Sequence, residues 1–254
     1  MVGAVIFALA PICTAISLLD SRVLDGANVW FKPIKFQLSV SIFLVTLSVM
    51  VAATGPRFKR SIIGRSTIWI AISTSVFEIF WITVRAALAE RSHYDTDTAF
   101  GSTMYALMGV AAVLLSATPI VIAIAALASR SNTAIPKLLP LGMLLGSLVA
   151  FVGAAVVGSM LSRSPEHYPT SVADQSSRLP FIGWSVERDD LRIAHFVGLH
   201  ALQGLIALAV ILLPSPRRLA GAILCSTALT WLAAVLGLVL LAVSGGSPLA
   251  WIAD

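Results

Sequence analysis

The stretch Asp190 to Gln203, DLRIAHFVGLHALQ, puts an arginine, two histidines and a glutamine on an otherwise apolar run. At 100° per residue with Arg192 at the origin, Gln203 falls near 20°, His200 near 80° and His195 near 300°, an arc of about 140°. One stripe of a lipid-length helix therefore carries all four, and hydrocarbon offers such groups no hydrogen-bond partner. The stripe is expected to face other polar spans or a water-filled recess. Imidazole titrates near neutrality and ligates metals, which makes His195 and His200 candidate catalytic groups and candidate metal ligands. Arg192 and Gln203 are candidate ligand-binding groups. A separation of five does not stack two side chains as three or four would, so joint ligation of one divalent metal is not favoured. A haem gripped by one histidine, with its second axial ligand from elsewhere, stays open.

A second constellation lies in STIWIAISTSVFEIFWITVRAALAER. Glu78 stands 12 residues after Ser66, about 18 Å along a helix, and Arg85 follows two turns later on nearly the same face. A charge at that depth costs about 2.5–3.5 kcal/mol on insertion scales, so it must face the bundle interior with a partner. Glu78 is a candidate catalytic or titrating group, and Arg85 a candidate for binding an anionic group. The structural alternative is an ion pair, or a protonated Glu78 bonded to a neighbour.

Two connections carry further polar groups. In DGANVWFKPIKFQLS, Lys32 and Lys35 are candidate ligand-binding cations beside Gln37 and Ser39. Pro33 suits a first helical turn, and Trp30 and Phe31 suit a membrane-interface belt. The plain alternative is that the lysines snorkel to headgroups. In ERSHYDTDTAFGSTMYALMG, His93 and Asp95 have the donor types of a divalent-cation site. The same residues also describe a solvated turn, with Asp97 or Thr98 as N-cap of the next helix.

What must position these groups is a membrane bundle. Of 254 residues 58% are apolar and 11% charged, with mean hydropathy +0.94, far from the composition of a soluble domain. Seven segments are long enough to cross a hydrocarbon core, at about 2–19, 35–54, 66–89, 103–128, 138–162, 191–213 and 219–243. The expected fold is an all-α integral membrane protein, a single-domain bundle of seven transmembrane helices over 1–254.

The connections 55–65, 129–137 and 214–218 hold eight of the 17 lysines and arginines and no acid. The positive-inside rule makes them cytoplasmic, which puts the N-terminus inside and the C-terminus on the periplasmic or extracellular side. All 12 acids and all four histidines fall in the outer connections, the outer helix ends or mid-span 3. The net charge of +5 is explained by this topology rather than by nucleic acid, for which no motif is present. The N-terminal run lacks the basic flank and cleavage site of a signal peptide and reads as a retained helix. Cys13 and Cys225 lie in different spans and suggest neither a disulfide nor a metal site. The 163–190 connection, rich in Ser, Pro and charge, reads as an outer loop, with His167 facing solvent.

The chain resembles a family of bacterial multi-spanning membrane proteins that share a W-x-K-P-x-K-F segment and a D-L-R-x-x-H-F-x-G-L-H-A-L-Q segment. Here these read Trp30 to Phe36 and Asp190 to Gln203, accompanied by RSHYD at Arg91 to Asp95 and by Gly183-Trp184-Ser185. The resemblance covers most of the chain and implies a shared multi-helix fold in a bacterial inner membrane. The family has no settled activity, so it lends no catalytic role. Microbial rhodopsins and intramembrane metallohydrolases fit poorly, since the last span has neither lysine nor histidine.

Together these residues suggest an outward-facing, partly buried polar site formed by spans 2, 3 and 6 and the 90–98 turn. It would bind a small anionic ligand, a divalent metal or a haem-type cofactor, in a membrane enzyme or redox subunit. A transporter or channel using Glu78 and the span-6 stripe is the alternative. It is weakened because the inner halves of the spans offer only serine and threonine. A structural subunit, whose polar residues only fix helix packing, is the third reading.

Overall fold

A computed structural model describes residues 1–129, 136–163, 179, 181–185 and 190–249. Arg130, His167 and most of the 163–190 connection lie outside the described residues. The elements are helix α1 (Val2–Leu19), strands β1 (Val23–Leu24) and β2 (Ala27–Asn28), then helices α2 (Phe31–Ala52), α3 (Pro56–Arg60), α4 (Ile62–Ala87) and α5 (Ala99–Ala128). There follow α6 (Leu138–Phe151), a π-helical segment (Val152–Val157), α7 (Gly158–Arg163), α8 (Leu191–Ile211) and α9 (Arg217–Val243). Seven of these runs are apolar and long enough to cross a membrane, with Leu138–Arg163 counting as one. The chain is a multi-pass helical bundle, and its helices expose Leu, Ile, Val and Phe along their outer faces, as a lipid-facing surface requires.

Each span packs on the next, and the tightest pair is α6 with α8. Small residues cause this closeness. Gly142, Gly146 and Gly153 form one stripe on the 138–163 run, and a β-carbon at Gly153 would stand 2.7 Å from Cα of Gly198. Backbones approach this closely in membranes where glycine permits it. The main core lies between these elements around Met50, Ile122, Met143 and Leu202.

Long helices need local repairs. Pro119 inside α5 leaves the Leu115 carbonyl without its usual amide donor, and the Thr118 hydroxyl donates to that oxygen at 2.7 Å instead. Lys137 donates to the Leu127 and Ser129 carbonyls at 3.0 and 3.1 Å, closing the C-terminal end of α5 with a cation, as its dipole favours. Thr98 is the N-cap of α5 and accepts from the Gly101 amide.

The two ends of the bundle differ. One carries the basic connections, including the exposed helix α3. The other, the acidic end, carries a hairpin that the sequence reading did not anticipate. Asp25 and Gly26 both have positive φ (50° and 78°), as a two-residue primed turn demands. Asn28 donates to the Asp20 carbonyl at 2.6 Å, and Trp30 Nε1 donates to the Asp20 carboxylate at 2.8 Å. The Arg22 guanidinium, which donates to the same carboxylate at 2.7 Å, and after it the Trp30 bond, stabilise the ionised form and hold the Asp20 carboxyl well below its ordinary value. Trp30 is only 7% exposed, so it anchors this hairpin rather than lying in an interfacial belt.

Candidate functional site

Helix α2 starts at the acidic end, so Lys32 in its first turn lies beside the 91–95 turn that joins α4 to α5. The Lys32 ammonium donates to His93 Nδ1 at 3.0 Å, and the Ser92 hydroxyl lies 3.1 Å from the same nitrogen. When Lys32 is protonated its ammonium has no lone pair, so Nδ1 then accepts and the ring proton sits on Nε2. Burial, and secondarily the charge of Lys32, hold His93 well below the usual imidazole value, and it stays neutral at physiological pH. The Phe36 and Tyr105 rings flank it, with centroids at 5.9 and 6.0 Å.

Glu78 sits deeper on the core face of α4, within electrostatic reach of Lys32. It is 6% exposed. Among the described residues its Oε1 has no hydrogen-bond partner, and neither do Ser75 Oγ, one turn away on the same face, or Gln37 Oε1. Gln37 is fully buried against Cys13 and Thr83, at 3.3 and 3.5 Å from its Nε2. An unsatisfied buried acceptor costs about 1–3 kcal/mol. Ser75 and Glu78 thus present two unpartnered oxygens on one face of α4, and Gln37 a third on the neighbouring helix α2, among the described residues.

Arg85 does not join this group. It is held by Asp95 at 2.5 Å, by Glu90 at 2.6 Å and by the Arg91 carbonyl at 2.9 Å, and it stacks over Trp81 at 5.3 Å. Its donors are spent on tying the end of α4 to the following turn. Asp95 in turn packs on Gly101 in the first turn of α5. His93 and Asp95 thus point to different partners, Lys32 and Arg85. A concavity of about 480 Å³, lined by Arg85, Glu90, Arg91, Asp95 and Phe100 among others, opens over this ion pair, and Glu78 does not line it.

The span-6 stripe is also divided. Arg192 lies at the N-terminus of α8, bonded to Asp190 at 2.5 Å and to the Gly183 carbonyl at 2.7 Å. His195 turns to the π-helical segment, where its Nδ1–H donates to the Gly153 carbonyl at 2.8 Å. A π turn shifts the backbone ladder by one residue, and the His195 ring lies against Gly158, its Cε1 3.4 Å from where a β-carbon would be. His200 stacks on Phe196 with centroids 4.2 Å apart, and Gln203 lies against it, its Oε1 buried without a partner among the described residues. His195 and His200 therefore do not converge. No group of three or more His, Cys, Asp or Glu gathers among the described residues.

Lys35 faces the loop that precedes α8. Its ammonium donates to the Phe181 and Ile182 carbonyls, both at 3.1 Å, and Arg192 is within electrostatic reach. The sequence reading singled out Lys32, Lys35, Glu78 and His93 but missed Ser92, Ser75 and the 181–183 carbonyls. Ser75 was visible one turn before Glu78; the carbonyls left no trace in residue type.

The fold and site define a seven-span helical membrane protein with a buried glutamate and a part-buried lysine and histidine toward one end of the bundle. Comparison with protein-family models, curated proteins and solved structures gave no match.

Proposed function

We propose that this is a multi-pass protein of a bacterial inner membrane whose α2, α4 and 91–95 turn hold a small ligand through an anionic group. The supporting observation is the Lys32 ammonium, poised between neutral His93 and a Glu78 carboxyl whose Oε1 has no partner among the described residues. Lys32 receives the anion, while Glu78 and Gln37 accept hydrogen bonds from the remainder of the ligand. The basic connections are cytoplasmic in this reading, so the site opens to the periplasmic or extracellular side. Membership of the family sharing the Trp30–Phe36 and Asp190–Gln203 segments belongs to the same proposal.

Thermal stabilisation of the solubilised chain by small carboxylates and phosphates tests it. A ligand at about 100 times its Kd adds roughly 2.7 kcal/mol, and the effect should vanish in Lys32→Gln. Failure of every such anion to stabilise, or an undiminished effect in Lys32→Gln, rules the reading out. In its redox version a haem or divalent metal rests on His195 or His200; a Soret band or elemental analysis decides that. A permeation route is the second reading, favoured by Ser75, which carries the unpartnered oxygens one turn further in from Glu78.

A further inference from the structure

At the basic end of the bundle, α3 and the start of α4 form a fixed corner. Pro56 opens the five-residue helix α3, where its missing N–H costs nothing. Ser61 then caps α4: its hydroxyl donates to the Phe58 carbonyl at 2.8 Å and accepts from the Gly64 amide at 3.0 Å. A β-carbon at Gly64 would collide with the Phe58 carbonyl, so only glycine lets α3 fold back this closely onto α4. The Phe58 side chain packs on the main core. Its neighbours Arg57, Lys59 and Arg60 are exposed, and so is Arg65 at the end of the first turn of α4.

These four cations are not neutralised from within the described fold. Their side chains form no ion pair or hydrogen bond among the described residues. On α4 the first acid is Glu78, 16 residues beyond Ile62 and so about 24 Å along the axis, well past the screening length of about 8 Å at physiological salt. Like charges held this close in sequence repel, and an external anion relieves them. Next to the cations the surface turns apolar. Ile62 is 82% exposed and Trp69 65%, and Trp69 shares a face with Arg65 one turn earlier. The indoles of Trp30, Trp81 and Trp231 donate into the fold, whereas Trp69 Nε1 has no acceptor among the described residues.

We propose that this corner binds an anionic phospholipid, with its phosphate on Arg60 and Arg65 and its glycerol esters beside Trp69. Guanidinium groups match phosphate oxygens in geometry and charge, and an indole with an apolar body and a free N–H suits the ester layer. Cation then indole along α4 is the order in which a lipid presents phosphate then ester; a free anion offers only the first. The surface lies at the end of the bundle opposite Lys32 and does not depend on the reading of that recess.

The test uses the full chain in detergent micelles titrated with brominated phosphatidylglycerol or brominated phosphatidylcholine, the Trp69 signal being the emission lost in Trp69→Phe. Half-quenching of that signal should need roughly tenfold less phosphatidylglycerol than phosphatidylcholine. The preference should disappear in Arg60→Gln/Arg65→Gln, survive in Arg60→Lys/Arg65→Lys, and be unchanged in Arg217→Gln/Arg218→Gln, which removes the same charge from another connection at the same end. Equal quenching by the two lipids in the parent, or a preference that persists in Arg60→Gln/Arg65→Gln, overturns the proposal. A preference lost equally in Arg217→Gln/Arg218→Gln overturns it too, because attraction would then be diffuse. Displacement of phosphatidylglycerol by an equal concentration of inorganic phosphate would make the corner a free-anion site and likewise defeat the assignment to lipid.

Discussion

Replacing Arg85 by methionine should cost stability and leave ligand recognition alone. The Arg85–Asp95 pair has side chains only 13% and 18% exposed, so its charged hydrogen bond contributes about 1.5–3 kcal/mol. Glu90 is 48% exposed and adds only a few tenths, because water screens it. Stacking on Trp81 adds about 0.5–1 kcal/mol, and the bond to the Arg91 carbonyl about as much again. The expected loss is about 3–5 kcal/mol, read from denaturant unfolding in mixed micelles. A double-mutant cycle with Asp95→Asn should return a coupling of about 1.5–3 kcal/mol. Anion-induced stabilisation per folded molecule should equal that of the parent. A coupling below about 0.5 kcal/mol, or normal stability with recognition lost, would refute the assignment of Arg85 to structure.

Further predictions concern the neighbouring groups. His93 is held neutral well below its free value of 6.5, so the unfolded chain binds the extra proton first; stability should be level above pH 6.5 and fall as pH drops below it. His93→Gln, which can still accept from Lys32, should lack that part of the acid loss in a comparison of unfolding curves. Gly153→Ala should destabilise by about 1–3 kcal/mol, since its β-carbon would meet Gly198 Cα at 2.7 Å and main chain cannot yield cheaply. Gln37→Leu should raise stability of the unliganded protein, because it removes a fully buried amide whose Oε1 lacks a partner among the described residues, while weakening anion binding. A Gln37→Leu chain that binds normally would make that amide a packing residue.

The spans were legible because hydropathy and length are local properties: seven runs stand where composition put them, with ends displaced by a few residues. Thr98 was also legible as a cap, and Pro33 does fall in the first turn of α2. The hairpin was missed although Asp25-Gly26 is a strong turn pair, because its strands are only two residues long. The angular argument placed Arg192, His195, His200 and Gln203 on one stripe, but angle does not say which neighbour a helix meets. His195 meets a carbonyl 42 residues away, and Lys32 meets His93 across 61. Arg85 looked available for the same reason: its acids, Glu90 and Asp95, lie close in sequence, yet only the fold of the turn brings both to one guanidinium.

The central claim of the proposed function is that a ligand reaches Lys32 and Glu78 from the acidic end alone. Cysteines at 78 and at 32, each in a Cys225→Ser chain and treated with a membrane-impermeant thiol reagent in right-side-out and inverted vesicles, test it most directly. Both should react in right-side-out vesicles only, the one at 78 more slowly than the one at 32. Reaction of position 78 in inverted vesicles, or of neither position from either side, would contradict it.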